Sequence, residues 1–331
     1  MIYFMLYPFI ISLVTLSIII IIGKKYPFII DPANSKRPQH YHSEATSRAG
    51  GIGLILGMSI FIIEPLGLKL ILPVFLAFLS GILEDYHSNI SPRIRLGLQL
   101  IAAISAIWLT NSVVTYLGLG ITMPYWLGII FSAFAIVGMM NAINIIDGFN
   151  GLASGIVLMI LLSFGIIAYD HHNLEILHII LIVLGSVLGF FILNFPKGRI
   201  FLGDGGAYLL GFIVAVIGIF LASKYENVSP WYILAVFIYP VWEVIFSIIR
   251  KLRSGLSPLQ PDDKHLHMLI FKHITKNNPL TALFFWLWLL PFLSLSTYYA
   301  NKSNTNIALA ILFIFTYLLL YRFLYNKELY K

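Results

Sequence analysis

The sequence contains no cysteine and few charged residues. Of its 331 residues, 11% are Asp, Glu, Lys or Arg, whereas 59% are hydrophobic. The absence of cysteine excludes disulfide bonds and thiolate catalysis. Because so little charge accompanies a mean hydropathy of +0.91, a water-soluble fold could not bury the apolar surface, and we expect the chain to lie in a lipid bilayer.

The positive charge is distributed unevenly along the chain. The formal net charge of +7 could indicate nucleic-acid binding, but surplus Lys and Arg are also typical of the cytoplasmic loops of membrane proteins. If loop 23–47 is cytoplasmic, every Lys and Arg except Lys69, Lys224 and Lys302 lies in a cytoplasmic loop or the C-terminal tail. We therefore expect no nucleic-acid partner, an external N-terminus and a cytoplasmic C-terminus.

Apolar segments determine the predicted fold. About eleven of them, each roughly 16 to 22 residues long, could span a bilayer. The first, from Tyr3 to Ile22, lacks a basic start and a small-residue cleavage site, so we interpret it as a retained span. No internal repeat or soluble domain is evident. The sequence predicts an all-α integral membrane protein, a single domain over residues 1–331 with about 10 to 11 transmembrane helices in the cytoplasmic (inner) membrane.

Four carboxylates lie at predicted helix ends on the cytoplasmic side, namely Glu84, Asp85, Asp147 and Asp204. Carboxylates that converge repel one another unless a cation lies among them. Oxygen ligands with few histidines are typical of magnesium or, as an alternative, manganese sites. Any one of the four could instead cap a helix or form a salt bridge. Their shared side of the membrane favours one composite metal and substrate site.

Polar residues interrupt two apolar helices at residues 141–155. Asn144, Asp147 and Gly151 have the i, i+3, i+7 spacing of one helical face. Helix capping would explain one Asn and one Gly. It does not explain so many polar groups between membrane helices, where unpartnered amides and carboxylates are costly. The pattern indicates a site for a charged ligand.

A glycine-rich turn opens the predicted helix at Gly203, with Asp204 and Gly205 in its first turn. Backbone N–H groups at such a helix start can bind phosphate. Small residues that allow close helix packing are the alternative explanation. The carboxylate of Asp204 among the glycines favours a metal ligand beside a phosphate site.

Two histidines and a buried-looking glutamate follow. His265 and His267 share a face on a strand and diverge on a helix. Zinc binding would need further ligands that are not evident, so we expect the two histidines to donate hydrogen bonds to phosphate oxygens or to a departing nucleotide. Glu243 lies inside an apolar segment about two turns before Arg250. A functional role and a buried ion pair or hydrogen bond remain equal alternatives for it.

With these residues assembled, the chain resembles the polytopic polyprenyl-phosphate N-acetylhexosamine-1-phosphate transferases. The similarity covers about residues 31–270 in the order of the family's motifs. The matching residues are Pro38-Gln39, Arg48-x-Gly50-Gly51, Glu84-Asp85, Ser91-Pro92-Arg93-x-Arg95-Leu96, Asn144-x-x-Asp147-Gly148-x-Asn150-Gly151-Leu152-Ala153, Asn194-Phe195-Pro196, Phe201-x-Gly203-Asp204-x-Gly206 and Pro261-Asp262 before His265-Leu266-His267.

The resemblance implies transfer of a sugar-1-phosphate from a UDP-N-acetylhexosamine to a polyprenyl phosphate, with magnesium, release of UMP and a cytoplasmic-face active site that initiates a cell-envelope polysaccharide. It implies metal binding by Asp204, Asp85 and Asp147, and a homodimer is one assembly compatible with it. The implied catalytic residues are Glu84, Asp85, Asp147, Asp204, His265 and His267. The implied substrate-binding residues are His42, Arg48, Asn144, Asn150, Asn194, Arg199, Gly205 and Lys264.

Three features distinguish this chain within the resemblance. Glu84 stands where Asp is commoner, and Asn150 where many members have a second Asp. The His265-Leu266-His267 sequence lacks the three-histidine run typical of phospho-N-acetylmuramoyl-pentapeptide transferases, which remain an alternative. An ion-coupled transporter is the alternative from another class, but its site would lie near the bilayer midplane within repeats.

Overall fold

A computed structural model describes residues 1–23, 30–31, 46–87, 91–257 and 262–329. The described part of the chain contains thirteen α-helices, a 3-10 helix (Ser59–Ile63), a π-helix (Phe271–Thr275) and two antiparallel two-stranded sheets. The helices are α1 (Ile2–Gly23), α2 (Gly50–Met58), α3 (Pro65–His87), α4 (Pro92–Thr110), α5 (Tyr125–Ile146), α6 (Leu152–Asp170), α7 (Leu174–Asn194), α8 (Gly203–Lys224), α9 (Pro230–Val236), α10 (Ile238–Arg253), α11 (Leu266–Ile270), α12 (Asn278–Tyr298) and α13 (Ser303–Leu329). The strands are β1 (Ile30–Asp31), β2 (Thr46–Ser47), β3 (Tyr116–Gly118) and β4 (Ile121–Thr122), paired β1 with β2 and β3 with β4.

The predicted all-α polytopic fold is confirmed, with a difference in the number of spans. Over the described residues, nine helices are long and apolar enough to cross a membrane, and a tenth span exists if α9 and α10 count as one. These two helices meet at an angle of 76°. One of the eleven predicted spans is the apolar segment around Leu56, and it is shorter than expected, because it forms α2 and a 3-10 helix, Ser59–Ile63.

This short segment still connects the two ends of the bundle. At its start, Gly50 donates its N–H to the carbonyl of Phe201 just before α8. At its end, Glu64 lies 2.8 Å from the Nδ1 of His178 in the first turns of α7. Nine α-helical and five 3-10 residues rise about 24 Å together, less than the roughly 30 Å of a bilayer core.

Helix α8 is the central element of the bundle. It is almost entirely buried, whereas only a minor part of α1 and of α13 is buried. A helix that is apolar on every side is stable only inside other protein, and peripheral helices can face lipid. The first turn of α8 therefore lies among the ends of its neighbours, and that end of the bundle contains the candidate site.

Candidate active site

The carboxylate of Asp85 caps the first turn of α8. Asp85 lies in the last turns of α3, and its two oxygens accept hydrogen bonds from the backbone N–H groups of Asp204, at 3.0 Å, and of Gly205, at 2.9 Å. The first N–H groups of a helix have no partner within the helix, and a carboxylate there also favours the helix dipole. Asp85 thereby fixes α3 to α8 and occupies the N–H of Gly205 that was predicted to face phosphate.

Two small residues allow this close approach. A Cβ atom on Gly81, one turn before Asp85 on α3, would clash with the backbone of Asp204. On the other side of α8, a Cβ atom on Gly51 would lie 2.5 Å from the backbone nitrogen of Gly206. The glycines of α2 and α3 thus serve helix packing at this position.

Asn144 orients the carboxylate of Asp204. Its amide Nδ2 donates to the Oδ1 of Asp204 at 2.9 Å, from the last turn of α5 to the first turn of α8. The sequence placed both residues in one site but did not predict this contact. The hydrogen bond fixes one oxygen of Asp204 in place.

Asp147 shares the electrostatic environment of the other carboxylates. It immediately follows α5, which ends at Ile146, so the predicted continuous helical face from Asn144 to Gly151 is wrong. Burial raises the pKa of Asp147 to about 7; Arg48 opposes this shift, and the negative charges of Asp204 and Asp85 add to it. Mutual effects of this kind require the charges to be close together.

Arg48 reaches the site through backbone pairing. The N–H of Phe201 donates to the carbonyl of Ser47 at 2.8 Å, and the N–H of Gly50 donates to the carbonyl of Phe201 at 2.9 Å. Gly203, which begins α8 with a φ of +73°, lies directly against the backbone of Arg48. The segment before α2 therefore lies along the segment before α8, and the charge of Arg48 acts on the carboxylates of Asp85 and Asp147.

The amide side chains of Asn194 and Asn150 hold backbone turns. Asn194 accepts a hydrogen bond from the N–H of Gly151 at 2.6 Å and donates to the carbonyl of Ile200 at 2.8 Å. Asn150 donates its Nδ2 to the carbonyl of Pro196 at 3.0 Å. The two residues join the 147–151 turn to the loop before α8. Their role in substrate binding stays a prediction, and their amides already have backbone partners.

The two histidines come together at the start of α11. His265 precedes the helix and His267 lies within it, and their rings are parallel within 6° with centroids 5.4 Å apart. A Cβ atom on Gly148 would lie 3.3 Å from the Nε2 of His267. The histidine pair therefore adjoins the turn that follows Asp147, which the sequence could not establish. Lys264, next to the pair, places its ammonium 5.7 Å from the ring centre of Tyr325.

The charged residues before the histidines form their own pairs. Arg250 donates to both oxygens of Asp262, at 2.6 and 3.2 Å. Burial alone would raise the pKa of Asp262, but the Arg250 hydrogen bonds and charge lower it below its ordinary value. Of the alternatives for Glu243, the hydrogen-bonded one is observed, because it contacts His265 and Tyr317.

Three predicted residues remain apart from these contacts. Glu84 is half-buried, and its Oε2 has no hydrogen-bond partner among the described residues. Arg199 is exposed and donates its backbone N–H to the carbonyl of Leu193. His42 lies outside the described residues, as do Pro38, Gln39 and Pro261. The roles proposed for these residues from sequence stay predictions.

The arrangement fits a metal held partly by substrate. Within the described ranges, no group of three His, Asp or Glu side chains is arranged to hold a metal ion by itself. Asp204 keeps one oxygen without a described partner, and Asp147 lies nearby. Magnesium is commonly bound by one or two carboxylates, water and substrate phosphates. Asp85, engaged with α8, is the least available of the three predicted ligands.

Comparison with known families gives an independent result. A family model described as glycosyl transferase family 4 matches residues 68–222. This range runs from α3 to the end of α8 and contains Asp85, Asp147 and Asp204. The histidine pair and α13 lie beyond it.

Curated relatives extend the similarity over more of the chain. A Thermotoga maritima undecaprenyl-phosphate alpha-N-acetylglucosaminyl 1-phosphate transferase is 28% identical over 316 residues, 95% of this chain and 96% of the relative. A probable undecaprenyl-phosphate N-acetylglucosaminyl 1-phosphate transferase of Bacillus subtilis is 27% identical over 78% of this chain and 75% of its own. A Streptococcus agalactiae phospho-N-acetylmuramoyl-pentapeptide-transferase is 34% identical over 47% of this chain and 50% of the relative.

Proposed function

Because this chain belongs to glycosyl transferase family 4, we propose that it transfers N-acetylhexosamine-1-phosphate, with GlcNAc-1-phosphate the favoured group, from a UDP-sugar to undecaprenyl or another polyprenyl phosphate. The products are a polyprenyl-diphosphate sugar and UMP. The observation that carries the proposal is the convergence of Asp85, Asp147, Asp204 and Arg48 at one end of a bundle of apolar helices.

The proposed reaction brings two anions together. An oxygen of the lipid phosphate becomes bonded to the sugar-bearing phosphorus, and the bond from that phosphorus to UMP breaks. Positioning and charge stabilisation supply most of the catalysis in phosphoryl transfer. Arg48 contributes positive charge, Asn144 holds Asp204 in orientation, and Asp85 holds the first turn of α8 in place.

Magnesium is the proposed cofactor, and manganese is the alternative. Asp204 would hold it, with Asp147 as the second carboxylate and the diphosphate supplying further oxygens. When bound, the ion neutralises charge on the reacting phosphates. The all-oxygen donor set and the absence of cysteine support this choice over zinc.

The multi-pass fold supports a site between membrane and water. A polyprenyl acceptor is held in the bilayer, and a nucleotide sugar arrives from an aqueous compartment. The Lys and Arg distribution supports a cytoplasmic membrane with the site facing the cytoplasm. A product of this type would begin a cell-envelope polysaccharide.

A pentapeptide transferase is the second candidate, and it rests on the 34% identity to the streptococcal enzyme over half its length. The near complete alignment with the Thermotoga protein favours the N-acetylglucosamine enzyme. The His265-Leu266-His267 sequence, with one Leu between two histidines, favours it too. Membership of a transferase family sets the transporter alternative aside.

The test is a product assay on purified protein in detergent with undecaprenyl phosphate. Labelled UDP-GlcNAc, other UDP-N-acetylhexosamines and UDP-N-acetylmuramoyl-pentapeptide are supplied separately, and the lipid product and UMP are measured by thin-layer chromatography. We expect equal amounts of lipid-linked sugar and UMP with UDP-GlcNAc, and none after chelation of divalent metal. Product from the pentapeptide donor alone would select the second candidate. No product from any donor with folded protein would refute the proposal.

A further inference from the structure

Glu243 is a buried carboxylate whose two oxygens both have partners. It lies on α10 with 1% of its surface exposed. Its Oε1 accepts from the Nδ1 of His265 at 3.0 Å and from the N–H of Leu266 at 3.3 Å, and its Oε2 accepts from the hydroxyl of Tyr317 at 2.9 Å. An ionised carboxylate can only accept hydrogen bonds, so the Nδ1 of His265 carries a proton.

Tyr239 determines which ring nitrogen of the other histidine, His267, carries the proton. Its hydroxyl lies 3.1 Å from the Nδ1 of His267, and both side chains are fully buried. If the hydroxyl donates, Nδ1 is the acceptor and Nε2 carries the proton. If Nδ1 donates, the hydroxyl proton loses this partner and Nε2 is left as a buried acceptor without one. The first arrangement leaves fewer unsatisfied groups and is therefore favoured.

The Nε2 of His267 is one of several unsatisfied buried polar atoms in the described part of the chain. It is buried and has no hydrogen-bond partner among the described residues. It faces Gly148, the residue after Asp147, where a Cβ atom would lie 3.3 Å away. Burial also lowers the pKa of His267 to about 3, an effect to which the neighbouring His265 adds and which Glu243 opposes. A neutral ring with a buried, unused N–H at a charged site points to an acceptor supplied by a ligand.

We propose that Tyr239 and Glu243 are positioning residues, each of which fixes the proton on one ring nitrogen of the two stacked imidazoles. His265 keeps its proton on Nδ1, and His267 keeps its proton on Nε2, which donates to an anionic oxygen of the nucleotide-sugar diphosphate beside Asp147. The inference rests on the proposed function for the identity of that oxygen. Tyr317 extends the arrangement to α13, because it donates to Glu243.

Tyr239 and Glu243 both lie outside the range matched by the family model, which ends at residue 222. The geometry gives them a role that the carboxylates cannot fill. An imidazole that exchanges between its two tautomers presents a donor in one and an acceptor in the other, whereas an anion needs a donor. If the tautomer of each ring is fixed before the substrate binds, binding does not have to supply the free energy of selecting it.

The test compares Tyr239→Phe with Tyr232→Phe. Tyr232 is an equally buried tyrosine on α9, and its hydroxyl is hydrogen-bonded to Ser163 at 2.6 Å, away from the histidines. Histidine-selective nitrogen-15 NMR in lipid reports which ring nitrogen is protonated, and the His267 signals are identified by their loss in His267→Gln. Steady-state assays give KM for the UDP-sugar and kcat for each variant.

In the unmodified protein we expect His267 protonated at Nε2 and His265 at Nδ1. Tyr239→Phe should give a mixture of His267 tautomers and raise KM about tenfold, with a smaller change in kcat. Glu243→Gln should disturb the His265 signals and leave those of His267 nearly unchanged. Tyr232→Phe should change neither the His267 signals nor KM.

Protonation of His267 at Nδ1 in the unmodified protein would overturn the inference, and so would unchanged His267 signals and KM in Tyr239→Phe. The NMR result decides the tautomers whatever the transfer assay gives. If the tautomers are as expected but no UDP-sugar or UMP binds, the proposed ligand is refuted together with the proposed function. If transfer occurs and the tautomers differ, this inference alone fails.

Discussion

Substitution of Gly51 by alanine tests whether close helix packing determines the geometry of the site. Gly51 on α2 faces the first turn of α8, and a Cβ atom there would lie 2.5 Å from the backbone nitrogen of Gly206 and 2.9 Å from its Cα. Ordinary contact begins at 3.4 Å. The two backbones must therefore separate by about 0.9 Å, because neither can rotate away as a side chain could.

The separation displaces the turn that carries Asp204. A shift of about 1 Å at a catalytic group can lower the rate by about 10²-fold, and overpacking typically costs about 1–3 kcal/mol of stability. We expect Gly51→Ala to insert and purify as a folded protein with kcat lowered roughly a hundredfold. Gly81→Ala should act in the same direction, since it displaces Asp204 from the α3 side.

Gly138→Ala is the matched control. Gly138 lies in the middle of α5, and a Cβ atom there would meet nothing within 4 Å. Replacing glycine by alanine in a helix should raise helix stability by about 1 kcal/mol, so turnover should remain near the unmodified value. Turnover per folded molecule is measured after size-exclusion chromatography and a thermal melt. Normal turnover in Gly51→Ala, or an equal loss of turnover in Gly51→Ala and Gly138→Ala, would refute the packing argument.

Three further predictions concern charge and orientation. Asp204→Asn should lower transfer by several orders of magnitude in folded protein, because the charge proposed to hold magnesium is lost, and near-normal turnover would remove that assignment. Asp85→Asn should be nearly inactive, because the amide has one acceptor oxygen where the carboxylate uses two for the N–H groups of α8. Glu84→Gln should keep measurable turnover, and the reverse result would exchange the roles of Glu84 and Asp85. With no native cysteine, Glu226→Cys should label with an impermeant thiol reagent from outside, and Lys197→Cys only after permeabilisation; the opposite pattern would reverse the proposed orientation.

The family and the membrane fold could be predicted from the sequence because both depend on local patterns. Apolar length indicates a span whatever its neighbours are. Asp147 and Asp204 could be named because a carboxylate beside glycine and asparagine is unusual next to membrane helices. The sequence also singled out Glu243 by its position inside an apolar segment, but it left two explanations open.

Packing decided what each of these residues contacts. Asp85 caps α8 because Gly81 allows two helices to approach, and sequence spacing carries no information on that distance. The end of α5 at Ile146 likewise removed the helical face predicted through Gly151.

The sequence by itself determined that this protein lies in a lipid bilayer, that it is helical and which residue types are available for phosphoryl transfer. Composition and hydrophobic periodicity can be read from residues that are close together along the chain. Only the tertiary structure decided which polar atoms are already satisfied. Asn194, Asn150 and Asp85 have backbone partners, whereas the Nε2 of His267, beside the turn after Asp147, has no hydrogen-bond partner among the described residues. The reason is physical: a buried hydrogen bond joins groups that are distant in sequence, and its existence depends on distances of a few tenths of an ångström that folding alone sets.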